Sequence, residues 1–161
     1  MEHHDLKKLN AAAELLISQP SFHATIEQLR SELRRSNEPF AWTVVDPGTL
    51  GAELPASIKS SWVFVLKGGT PSGCHYHPNS VQHMVAVRGR GTSRVGGVEK
   101  SMATLGSAGC SLEDIWFVIA EGVPHEFFPV GEDLVVVSFH TCRADELAEI
   151  ACDTGATRHY E

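Results

Sequence analysis

The sequence predicts an all-β domain preceded by a helical segment of about 37 residues. From Phe40 onward, short apolar runs are separated by Gly, Pro and Ser, a pattern typical of small barrels and sandwiches. No long helical pattern lies between these runs, which argues against a parallel α/β sheet. We therefore divide the chain into a helical segment at 1–37, a barrel at 38–142, and a short helix with a polar tail at 143–161.

Two helices are predicted in the first segment, because apolar residues recur there at helical spacing. Pro20 ends the first helix, and Ser21 can cap the second. The residues with this spacing are Leu6, Leu9, Ala13, Leu16 and Ile17 in the first helix, and Phe22, Ile26, Leu29 and Leu33 in the second. We expect these apolar stripes to pack on the barrel or across a dimer interface.

Eight strands are predicted in the barrel, each bounded by turn residues such as Gly-Gly or Gly-Arg-Gly. They are Phe40–Val45, Ile58–Lys67, Gly73–His77, Val81–Arg88, Thr92–Val95, Trp116–Ile119, His125–Pro129 and Leu134–His140. The polar and apolar order of residues 143–150 favours a short closing helix.

Composition excludes several classes of function. A net charge of −7 argues against binding to a nucleic-acid backbone. No apolar run is long enough to cross a membrane, and the first residues do not resemble a secretion signal. The four cysteines, which show no CxxC spacing, are Cys74, Cys110, Cys142 and Cys152. Together these features predict a cytoplasmic protein with reduced thiols.

Three histidines carry the strongest chemical signal. His75 and His77 are one residue apart, so in a strand both side chains project from the same face. His125 follows a Gly-Val-Pro turn and can approach from another strand. Three protein ligands with open coordination positions are typical of a catalytic metal site. The sequence therefore predicts a divalent transition metal and a small-molecule substrate.

The spacing around these histidines resembles the first cupin motif, which reads Gly, five residues, His-x-His, three or four residues, Glu, six residues and Gly. The matching positions are Gly69, His75, His77, Gln82 and Gly89. Every interval fits, and the departure is Gln82, where the family usually has a carboxylate. The resemblance covers about residues 58–141.

The second cupin motif is matched only in part. Its positions here are Asp114, Ala120, Gly122, His125 and Pro129, of which Gly122 and His125 agree with the family. The resemblance implies a single double-stranded β-helix, a jelly-roll-like antiparallel barrel with the metal inside its mouth. Because cupins often dimerise, it also implies a homodimer.

Gln82 leaves two interpretations open. Its neutral carbonyl is a poorer ligand than a carboxylate, so it either coordinates the metal weakly or hydrogen-bonds a water or substrate oxygen beside the metal. If Gln82 faces inward, strand alternation turns Met84 inward as well and His83 outward. A slip of one residue would instead make His83 a ligand.

His140 is a candidate for proton transfer. It shares a strand face with Ser138, and an inward face would place it beside the metal. The alternative is a core histidine whose nitrogens are satisfied by hydrogen bonds.

Three classes of function remain. Three-histidine iron sites occur among cupins, in thiol dioxygenases and in an enzyme that cleaves β-diketones, so the resemblance favours a mononuclear iron(II) dioxygenase. Zinc, nickel, manganese or copper would also bind three imidazoles, and a non-redox isomerase, lyase or hydrolytic enzyme is the alternative. The third class is a non-catalytic cupin that binds a small molecule.

Overall fold

The structure, a computed structural model, describes residues 3–160 of the chain. Helices α1, α2 and α3 are His3–Ser18, Pro20–Arg34 and Leu112–Ile115, and short 3-10 turns occupy Pro47–Thr49 and Ala144–Glu146. Strands β1 to β6 are Phe40–Val45, Ser60–Leu66, His75–Tyr76, Gln82–Arg88, Gly91–Val95 and Val98–Ser101. Strands β7 to β11 are Trp116–Ile119, His125–Pro129, Leu134–His140, Ala148–Ala151 and Thr157–His159.

The strands form two antiparallel sheets, as the sequence predicts for the fold class. One sheet has the order β1-β2-β9-β4-β7, and the other has the order β11-β10-β3-β8-β5-β6. Neighbouring strands in both sheets pair antiparallel. The short strand β3 lies between β10 and β8, so residues far apart in sequence meet around it.

The five-stranded sheet is buried on both faces. Its outer face carries Val63, Val85 and Val137, which share one apolar cluster with the buried residues of α1 and α2. Its inner face belongs to a second cluster between the sheets, with Trp62 and Met84 among its members. Burial on both sides explains why β2 and β9 are almost continuously apolar instead of alternating with polar residues.

The prediction of a closing helix over residues 143–150 is wrong. The chain makes a 3-10 turn and then enters strand β10, which pairs with β3 on one side and β11 on the other. A run of eight residues has little helical stability of its own in water. The exposed edge of β3 offers unpaired backbone groups, and pairing with them outweighs local helix propensity.

Two cysteines are joined across this pairing. Cys74, directly before β3, and Cys152, directly after β10, form a disulfide with their Cα atoms 5.5 Å apart. The prediction of reduced thiols is therefore wrong for this pair, and Cys110 and Cys142 are free. Within residues 3–160, no helix has the length and apolar character needed to cross a membrane.

Candidate metal centre

The structure brings the three predicted histidines together. His75 in β3 lies directly opposite His125 in β8, and His77 follows two residues after His75. One ring nitrogen from each histidine lies within 4.8 Å of those of the other two. All three side chains are buried. The pairing of β3 with β8 therefore positions His75 and His125, and His77 follows directly after β3.

Each of the three rings is oriented by a hydrogen bond to the backbone. Nδ1 contacts a carbonyl oxygen in every case: Gly73 at 3.0 Å for His75, Ala148 at 2.8 Å for His77, and Val123 at 2.9 Å for His125. Because a carbonyl oxygen only accepts, each Nδ1 carries the ring proton. Nε2 of each ring is therefore left with a free lone pair, the arrangement found in metal-binding histidines.

Burial keeps these rings neutral at ordinary pH. It lowers the pKa of His75 from 6.5 to about 3, with His125 and His77 adding a smaller effect of the same sign. Burial likewise lowers the pKa of His125 to about 4 and lowers that of His77. Neutral imidazole is the form that coordinates metals, so the site does not need to lose protons to bind one at pH 7.

Two buried polar atoms in this region lack hydrogen-bond partners among residues 3–160. They are Nε2 of His125 and Oε1 of Gln82. Leaving such an atom unpaired costs about 1–3 kcal/mol, so two in one region need an explanation. Both atoms carry lone pairs, which a cation or a hydrogen-bond donor can satisfy. The donor set therefore fits a divalent metal ion.

Gln82 lies on the inner face, as strand alternation predicts. It lines a small internal cavity together with His75 and His77, and its amide nitrogen donates to Ser138 Oγ at 3.1 Å. Met84, two residues further along β4, lines the same cavity. Both predicted roles of Gln82, as a metal ligand and as a hydrogen-bonding neighbour of the metal, stay predictions.

His83 faces the opposite side of β4. Its Nδ1 lies 3.3 Å from the carbonyl oxygen of Phe139, a residue of the helix-covered cluster. The register of β4 against β9 pairs Gln82 with His140 and His83 with Phe139. The one-residue slip that would make His83 a ligand therefore does not occur.

His140 is fully buried beside the cluster but outside it. Its ring centroid lies 5.1 Å from that of His77. Hydroxyl groups lie at both ring nitrogens, Ser80 Oγ at 2.9 Å from Nδ1 and Ser138 Oγ at 3.3 Å from Nε2. Burial holds the pKa of His140 well below its usual value, so the ring is neutral. A proton-transfer role for His140 stays a prediction.

The structure adds a residue that sequence reasoning missed. Glu149 in β10 is the one buried carboxylate among residues 3–160, with 8% of its surface exposed. Its Oε2 lies 3.7 Å from Nε2 of His75 and accepts a hydrogen bond from the hydroxyl of Tyr160. Burial raises the pKa of Glu149 from 4.5 to about 7, and the charge of Arg158 opposes that shift.

If residues 148–151 had been predicted as a strand, the sequence would have indicated that Glu149 is buried. Leu147 and Glu149 are two residues apart and both are buried, the spacing of one strand face. The helical interpretation of 143–150 hid this pattern, because residues two apart do not share a face of a helix.

Two cavities meet at His75. The inner cavity has a volume of about 30 Å³, enough for a water or an ion, and is walled by aromatic and apolar side chains. The outer cleft has a volume of about 550 Å³ and opens to solvent. Phe40, Ser72 and His75 line both, while Glu149 and Arg158 line the outer cleft. His75 is therefore the histidine that the outer cleft exposes to solvent.

Among known proteins, the chain is similar to solved structures in its fold, and no similarity was found at the level of sequence families. No protein-family model matches the chain, and no curated protein matches it. Among solved structures, KdgF from Halomonas sp. is similar with a TM-score of 0.50 and 16% identity, covering 68% of this chain and 88% of that one.

Salicylate 1,2-dioxygenase from Pseudaminobacter salicylatoxidans is also similar. Its TM-score is 0.51 at 14% identity, over 71% of this chain and 31% of that one. A variant of that enzyme gives a TM-score of 0.53 at 15% identity, over 76% of this chain and 33% of that one. These neighbours are cupins, and identities this low establish the fold alone. With two antiparallel sheets and three histidines clustered where β3 pairs with β8, this chain has the cupin fold.

Proposed function

We propose that this protein is a metal-dependent cupin acting on a small organic molecule, as a mononuclear iron(II) dioxygenase with His75, His77 and His125 as ligands. One observation carries the proposal: three buried imidazoles, each fixed through Nδ1 by a backbone carbonyl, bring one ring nitrogen each to within 4.8 Å of the other two. Three neutral ligands leave coordination positions for a substrate, which is the arrangement of a catalytic site.

The chain supplies positioning and exclusion of water. Bound iron(II) would supply the activation of dioxygen. Phe64, Met84 and Phe127 wall the inner cavity and keep bulk water from the histidines. The unpaired Oε1 of Gln82 can accept a hydrogen bond from a hydroxyl group or water beside the metal. The substrate would approach through the outer cleft. One structural neighbour is named a dioxygenase, which agrees with this reaction class.

Metal analysis comes first in testing the proposal. Protein purified without chelator should hold close to one equivalent of transition metal, and less than about 0.2 equivalents would contradict both metal-dependent functions. Gln82→Ala distinguishes the two roles of that residue, because unchanged metal affinity excludes direct coordination.

Sedimentation of the purified chain checks the predicted homodimer.

Oxygen uptake then tests the reaction. Protein reconstituted with iron(II) should consume oxygen with one member of a panel of thiols, β-diketones, catechols and hydroxybenzoates. His140→Gln tests proton transfer: a change in the pH profile of turnover is expected if the imidazole moves a proton. Turnover without oxygen uptake, in protein loaded with zinc or manganese, would favour the non-redox alternative.

A further inference from the structure

We propose that Glu149 is the fourth protein ligand of this metal site, supplied by β10 in place of the motif carboxylate that Gln82 replaces. This inference rests on the proposed metal-binding function. It differs from the cupin motif in the strand that provides the acid, since β10 lies outside the region that resembles the family.

Charge balance is the first argument. Three neutral imidazoles leave the full charge of a divalent ion in a buried site, and burying an uncompensated charge is costly. The Gln82 side chain cannot compensate it. Among residues 3–160, Glu149 is the one buried carboxylate, and it lies at the histidine cluster rather than elsewhere in the core. Within the described part of the chain, the buried carboxylate thus lies beside a ring that would bind the ion.

Strand pairing is the second argument. In β10, Ala151 lies opposite His75, and the carbonyl oxygen of Ala148 accepts the hydrogen bond from His77 Nδ1. The neighbouring Glu149 places Oε2 3.7 Å from His75 Nε2, the nitrogen that faces the metal. One short strand thus contacts two of the three histidines, with the Cys74–Cys152 disulfide beside it.

Tyr160 gives the third argument, as a positioning residue for Glu149. Its hydroxyl donates to Oε2 of Glu149. The Tyr160 ring is buried against Trp42 and Trp62, at centroid distances of 5.0 and 5.5 Å. Ligating carboxylates in proteins are held by such outer hydrogen bonds, which fix their orientation.

The experiment compares Glu149→Gln with the wild-type chain. Glu121→Gln is the matched control, because Glu121 is exposed and lies beside the second motif. Cobalt(II) affinity is measured by competition with a chelator, and the visible absorption of bound cobalt(II) reports the ligand set. We expect Glu149→Gln to bind cobalt(II) at least 10-fold more weakly with an altered spectrum, and Glu121→Gln to match the wild type.

A rescue variant keeps the test independent of folding defects. In Gln82→Glu/Glu149→Gln the carboxylate returns to the position of the family motif, and we expect most of the lost affinity to return. Tyr160→Phe should weaken binding less than Glu149→Gln and leave the carboxylate in the ligand set. Circular dichroism checks that each variant is folded.

The outcomes separate this inference from the proposed function. If the wild-type chain binds no cobalt(II), both are overturned. If the wild type binds and Glu149→Gln keeps its affinity and spectrum, only the Glu149 inference is overturned. A weaker affinity with an unchanged spectrum would also overturn it, because the carboxylate would then act from outside the ligand set.

Discussion

Strand β4 carries two neighbouring buried polar residues into two different environments. Gln82 faces the space between the sheets, in a cavity that His75 and His77 also line. His83 faces the outer side of the same sheet, in the region covered by α1 and α2. Both side chains are at least 95% buried. The inner region gathers titratable groups, whereas the outer one is packed almost wholly with aliphatic and aromatic residues.

The difference shows that burial of a histidine is not evidence of a site. His83 and His125 are equally inaccessible, and each directs Nδ1 at a backbone carbonyl oxygen. His125 differs from His83 because one of its ring nitrogens lies within 4.8 Å of a nitrogen from each of two other imidazoles. Convergence of several free lone pairs, rather than burial or pKa, identifies the candidate metal centre.

The largest effect should come from removing a histidine on the inner side. His125→Ala deletes one of the three proposed ligands, and we expect metal affinity to fall at least 100-fold, beyond the usual effect of losing an outer hydrogen bond. His83→Ala is the matched variant from the outer side and should keep the metal content of the wild type. Elemental analysis of both proteins checks the pair. Equal metal loss in the two variants would contradict the comparison.

Much of the inner side was predictable because strand periodicity is local. The His75-x-His77 spacing predicts that both rings share one face. The alternation along β4 predicts that Met84 faces inward. The structure confirms both predictions. Four of the eight predicted strands have the observed bounds, among them β1 and β9. Such patterns need only the residues of one strand and a buried face.

Features that depend on pairing between distant segments were not predictable. Glu149 reaches the site because β10 pairs with the edge of β3, a contact across more than 70 residues of sequence. The same pairing forms the Cys74–Cys152 disulfide, whose cysteines have a spacing of 78 residues and no local motif. Strand β6 was missed for another reason: all four of its residues are exposed, so it lacks an apolar alternation.

The disulfide, which lies beside the outer cleft, provides the next prediction. Cys152→Ser opens a loop of 78 residues, and we expect the free energy of unfolding to fall by about 2–4 kcal/mol in urea titrations. Adding a reductant to the wild-type protein should give the same loss. Cys110→Ser, at an exposed free thiol, is the control and should change little. A Cys152→Ser protein as stable as this control would show that the tether does not contribute.

The smallest expected effect concerns pH and the histidine on the outer side. Burial lowers the pKa of His83 below its ordinary 6.5. Below pH 6.5 the unfolded chain therefore takes up a proton at this position while the folded chain does not, so acid favours unfolding. His83→Gln keeps a hydrogen-bond donor for the Phe139 carbonyl but cannot titrate. In metal-free protein, the stability of the wild type relative to this variant should fall by up to about 1.4 kcal/mol per pH unit below pH 6.5.

On the inner side, acid should lower the stability through some groups and raise it through another, unlike on the outer side. His75 and His125, with pKa values of about 3 and 4, add to the loss of stability in acid. Glu149 acts oppositely: its pKa rises from 4.5 to about 7 on folding, so its contribution is complete below pH 4.5 and is lost as the pH rises toward 7. Urea titrations of Glu149→Gln between pH 4.5 and 7 should therefore show a slope change opposite to that of His83→Gln. Changes of the same sign in both variants would mean that Glu149 does not experience the desolvation that its burial implies.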